Sequence, residues 1–91
     1  GGDPRRFRSL AAAVKYILED GRGNVRFPDN QTVYIESDED LVEVHHRTHP
    51  WGSAHSYPQE PGLQRVAQVI KRFRPDAEVS VWDEWSALER R

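Results

Sequence analysis

The sequence predicts an α+β fold, a two-layer sandwich in the order α-β-β-β-α-β, with both helices on one face of the sheet. Three observations carry it. Apolar residues recur at steps of three and four along two stretches, they alternate with polar residues along four others, and three of the alternating stretches are joined by short turns.

The first helix is expected to open at Asp3-Pro4, an N-cap followed by proline at the first helical position, where its missing N–H costs nothing. Phe7, Leu10, Ala11, Val14, Ile17 and Leu18 then form one apolar stripe, and Gly21, backed by Gly23, supplies the left-handed stop. Residues 24–27 alternate, with Val25 and Phe27 to one side and Arg26 to the other. Pro28-Asp29-Asn30-Gln31 is turn chemistry. Residues 32–36 alternate again, with Val33 and Ile35 inward and Tyr34 outward, and Ser37-Asp38-Glu39-Asp40 makes a second, acidic turn. In the third strand, 41–46, Val42, Val44 and His46 share one face, and Leu41, Glu43 and His45 the other. These three strands form an antiparallel meander.

A loop of fourteen residues, from His45 to Pro58, is expected next. Pro61-Gly62 opens a second helix with Leu63, Val66, Ala67, Val69, Ile70 and Phe73 on its stripe, and Pro75 ends it. Residues 78–82 are a fourth strand with Val79 and Val81 inward. It is expected to run parallel to a neighbour through a right-handed crossover, because it returns after a helix. Asp83 is placed to cap a short terminal helix carrying Trp85 and Leu88. The sheet face away from the helices then carries Arg26, Tyr34, Glu43 and His45, with Trp82 on it if the fourth strand joins in that register. Such a face, aromatic and polar at once, is a candidate contact surface.

Ninety-one residues make one domain, 1–91, with 36% apolar residues and nine aromatics to fill a single modest core. The chain has no cysteine, which excludes disulfides, thiolate nucleophiles and Cys-ligated zinc, and favours the cytoplasm. It has no methionine, and Gly1-Gly2 reads as a cleavage scar, so a domain excised from a larger protein is expected. No apolar run is long enough to span a bilayer, and no cofactor is implied. A net charge of −2 is no nucleic-acid footprint for the whole domain.

All four histidines, His45, His46, His49 and His55, fall within eleven residues, joined in the same segment by Trp51 and Tyr57. Neighbouring residues on a strand point to opposite faces, so His45 and His46 do not ligate one metal together. A hydrolytic zinc centre built from one of them with His49 and His55 needs Glu43 or Glu60 as its acid, since none lies between His45 and His55. No metal ligands and no catalytic residues are assigned on this pattern. Ser53, Ser56, Thr48 and Tyr57 lie near the imidazoles in sequence, which does not establish the geometry that acid–base work needs.

The reading that follows is a non-enzymatic module that binds another protein, with Trp51, Tyr57 and Tyr34 as anchors and Arg47, His45, His49 and His55 as polar contacts. Nucleic acid is the alternative partner. Arg65, Lys71, Arg72 and Arg74 lie on the second helix, and helix, three strands, helix resembles the element order of double-stranded-RNA-binding domains. The lysine-rich opening of their second helix is replaced here by Pro61-Gly62-Leu63-Gln64-Arg65. A His-based metal-dependent hydrolase is the third reading. Five acids among residues 36–43 (Glu36, Asp38, Glu39, Asp40, Glu43) form a solvated turn or a docking patch for a basic partner.

Overall fold

The computed structural model describes residues 5–26, 32–47, 54–56 and 62–83. Two helices, α1 (Leu10–Asp20) and α2 (Leu63–Phe73), pack on one face of a mixed sheet. Its strands are β1 (Arg22–Arg26), β2 (Thr32–Ser37), β3 (Leu41–Arg47), β4 (Ala54–Ser56) and β5 (Glu78–Asp83), in the order β4-β1-β2-β3-β5. The meander β1-β2-β3 is antiparallel as expected, and β5 lies parallel to β3. The fold class is therefore the predicted one, with one addition. Ala54-His55-Ser56, inside the segment expected to be loop, pairs parallel with β1 as a short edge strand.

The first helix starts later than its proline suggests. Ser9, extended at φ −122°, accepts the backbone N–H of Ala12 through its Oγ and so caps a helix that opens at Leu10. Charge supplies a reason: a helix opening at Pro4 would hold Arg5, Arg6 and Arg8 at its positive end. Phe7, left outside the helix, folds back against the Tyr16 ring at 5.6 Å, and the Arg5 guanidinium lies over the same Tyr16 ring, 4.8 Å from its centroid. The stop is the predicted one. Gly21, at φ +96°, donates its N–H to the Ile17 carbonyl, and its own carbonyl accepts from Ser37.

Leu10, Ala13, Val14 and Ile17 of α1, Val66, Val69 and Ile70 of α2, and Val25, Val33, Ile35, Val42 and Val44 of the sheet share one core with Ala77. Val79 and Val81 pack partly buried against it. Phe73, expected on the buried stripe, is instead 40% exposed at the last position of α2. The helix ends at Phe73 with Arg74 as its C-cap, immediately before Pro75, as the proline requires.

The acidic turn between β2 and β3 is tied to the end of α2. Arg74 donates through Nη1 to Ser37 Oγ at 2.6 Å and through Nη2 to the carbonyls of Asp38, at 3.1 Å, and Glu39. Lys71 Nζ donates to the carbonyls of Pro75 and Ala77. A fork of donors on one guanidinium satisfies a tight turn that has few partners of its own. Among the described residues no helix is long and apolar enough to cross a membrane.

Candidate functional site: a ring strip on the outer sheet face

The register of the sheet brings three rings into one row on the face away from the helices. Tyr34 on β2 is the Cα partner of His45 on β3, and His45 is the partner of Trp82 on β5. Alternation sends all three side chains outward, while Val33, Ile35, Val44 and Val81 point into the core. Side chains standing off adjacent strands are held at the strand spacing, which presents ring beside ring. The His45 and Trp82 rings stack, 6° from parallel with centroids 5.8 Å apart, and Tyr34 meets His45 at 6.0 Å, tilted by 50°. These separations are those of offset aromatic pairs.

Exposure is greatest at the Trp82 end of the row. Tyr34 is half-buried, the His45 side chain is 16% exposed, and Trp82 is 51% exposed on an edge strand. Asn24 and Thr32, towards the other edge of the same face, are buried, so the face opens at β5 rather than evenly. His45 stacks on the indole from β3, and half of Trp82 remains exposed.

Charged groups border the row. The Tyr34 hydroxyl is hydrogen-bonded to Arg22 and Glu36, neighbours on β1 and β2. Burial, and then the Glu36 charge, raise its pKa above the ordinary tyrosine value, against an opposing pull from Arg22. Glu43 Oε2 stands 3.9 Å from His45 Nε2, a pair that is ionic only when the imidazole is protonated. Glu43 is also the direct cross-strand partner of Glu36, which sets two carboxylates opposite each other. A shallow depression of about 390 Å³, lined by Glu36, Ser37, Asp38, Leu41 and Glu43, adjoins the rings through Glu43.

Of the residues singled out in the sequence, Tyr34 and His45 come together here. His46 takes the opposite side of β3, partly buried beside Val33, so the two adjacent imidazoles diverge. Arg47 ends β3 opposite Thr32, and His55 sits in β4 opposite Val25. His49, Trp51 and Tyr57 lie outside the described residues, as do the turn at 28–31 and the terminal helix expected after Asp83. Among the described residues no three His, Asp or Glu side chains gather as metal ligands do. On α2, Arg65 and Arg72 are exposed, whereas Lys71 and Arg74 are engaged with backbone carbonyls and the Ser37 hydroxyl.

Trp82, placed on the outer face only conditionally by the sequence and not among its binding residues, and Arg22, not placed there at all, are the further contributors. Alternation marked Trp82 as outward-facing, but only the parallel pairing of β5 with β3 shows that it stacks on His45. Arg22 precedes the segment where alternation begins, and only the hairpin register places it beside Glu36. No protein-family model, no curated protein and no solved structure matches this chain.

Proposed function

We propose that this domain is a non-enzymatic module that binds another protein through the outer sheet face, with Trp82, His45 and Tyr34 as its contact row. The observation that carries this reading is the stack of His45 on an indole that remains 51% exposed at a sheet edge. A soluble domain gains by burying a tryptophan, and exposed, pre-stacked aromatics are what protein interfaces use as anchors. The rings are fixed by strand register, so docking on them orders little that is not already ordered. Trp51, Tyr57, Arg47, His49 and His55 remain proposed contacts of the same module. The cysteine-free composition fits a cytoplasmic protein.

Nucleic acid is the weaker partner for this fold. Of the four cations on α2 and its C-cap that would grip phosphates, Lys71 and Arg74 are committed to internal acceptors, and the ring row is bordered by Glu36 and Glu43.

An NMR screen with a library of small fragments tests the reading without knowledge of the partner, since hot spots bind fragments as well as proteins. Shifts should concentrate on the backbone and ring signals of Tyr34, His45 and Trp82. Shifts concentrated on α2, with the ring row silent, would contradict it.

A further inference from the structure

We propose that the partner presents an arginine-bearing segment. One guanidinium lies flat on the open side of Trp82, and a neighbouring basic side chain enters the depression beside Glu43. This rests on the outer face being the contact surface and adds the chemistry of what docks there.

The stacking geometry favours a flat cation. His45 and Trp82 are nearly parallel, β5 is the outer strand beside β3, and Trp82 is 51% exposed, so the indole has room for a second flat partner. A guanidinium is planar, weakly hydrated, and attracted by the negative face of an indole, the strongest of the aromatic platforms for a cation. A lysine ammonium has the charge without the plane.

The charge around the row points the same way. On the outer face along β3 and β5 stand Glu43 and Glu78, and the adjoining turn adds Asp38, Glu39 and Asp40. Of the cations placed on this face by strand register, Arg22 and Arg26 lie on β1, two strands from β3, and Arg47 closes β3 at the end away from the acidic turn. Arg74 reaches the turn, but its donors are directed at the Ser37 hydroxyl and at backbone carbonyls. Glu36 and Glu43 oppose each other directly across the strands; Arg22 flanks Glu36 on its other side, whereas Glu43 has Ser80 as its partner on β5, so Glu43 is the carboxylate a docking cation would meet. Their depression has Leu41 in its lining, which suits the methylene stem of a long basic side chain. Rings in a row are also what single-stranded nucleic acid stacks on, but its phosphates would follow the bases into this acidic border.

Selection of a random-peptide display library on the immobilised domain, followed by titration of the best synthetic peptide, tests the proposal. Arginine should be enriched over lysine in the selected peptides, and affinity should fall as salt is raised. Trp82→Ala should weaken binding at least tenfold and Glu43→Gln several-fold, both with unchanged circular dichroism. Replacing the key arginine by citrulline, flat but uncharged, should weaken it comparably. Selected peptides that depend on Trp82 but carry no arginine, or that tolerate citrulline, would overturn the cationic partner and leave the contact face standing. No enrichment, or binding indifferent to Trp82→Ala, would remove both. Displacement of the peptide by an oligothymidylate single strand, again dependent on Trp82, would overturn the proposal in favour of nucleic acid.

Discussion

Tyr34 is held neutral at the centre of the outer face by burial and by Glu36, more than Arg22 can offset. Its folded-state pKa therefore lies above its unfolded one. Above the unfolded value, near 10, the unfolded chain releases the phenolic proton while the native state keeps it, so stability falls as pH rises through that range. Urea unfolding between pH 8 and 11 should show this decline, and Tyr34→Phe should reduce it; an identical decline in the variant would mean that other groups cause it. Trp82 makes the opposite kind of contribution. Half exposed at an edge, it supports little of the core, and Trp82→Ala should change unfolding free energy by no more than about 1 kcal/mol while sharply reducing binding. Arg74 is the structural counterpart. Arg74→Ala removes three donated hydrogen bonds from the β2–β3 turn and should cost roughly 1–3 kcal/mol in urea unfolding, since the bonds come from a charged donor. A change within error would show the turn to be indifferent to its tether.

At the scale of elements, local signals marked the ends of helices well where one signal stood alone. Gly21 and Pro75 end α1 and α2 as their chemistry demands. Gly21→Ala should cost about 1–2 kcal/mol in thermal or urea unfolding, because φ +96° burdens any residue with a Cβ even where space is open. Where two caps competed, Asp3-Pro4 and Ser9, the nearer pattern misled. The choice turns on the charges of Arg5, Arg6 and Arg8 and on Phe7 finding Tyr16, a contact between a residue before the helix and one inside it that no cap rule contains. Strand β4 was illegible for a different reason. Ala54-His55-Ser56 has neither β-branched residues nor alternation of apolar with polar, and it is a strand only because the edge of β1 offers it partners.

For the whole molecule, element order and the inward set of side chains were readable because both depend on periodicity along the chain. Neighbour relations across the sheet were not, because they depend on which strand the chain returns to. The proposed contact row is a product of that second kind of information. Tyr34 and His45 could be placed on one face from alternation, but the stack needs β5 beside β3 in the register that opposes His45 to Trp82. The same topology sets the acids at the turn end of β3 and β5 apart from Arg22 and Arg26 on β1 and from Arg47 at the far end of β3, which gives an overall near-neutral chain an uneven surface charge. The most direct test sets that surface against the basic face of α2, using the tightest peptide selected on the wild-type domain. Its affinity should drop at least tenfold on Trp82→Ala and stay within twofold for the Arg65→Ala/Arg72→Ala double variant. Loss of binding in the double variant with Trp82→Ala unaffected would place the contact surface on the helix and contradict the account.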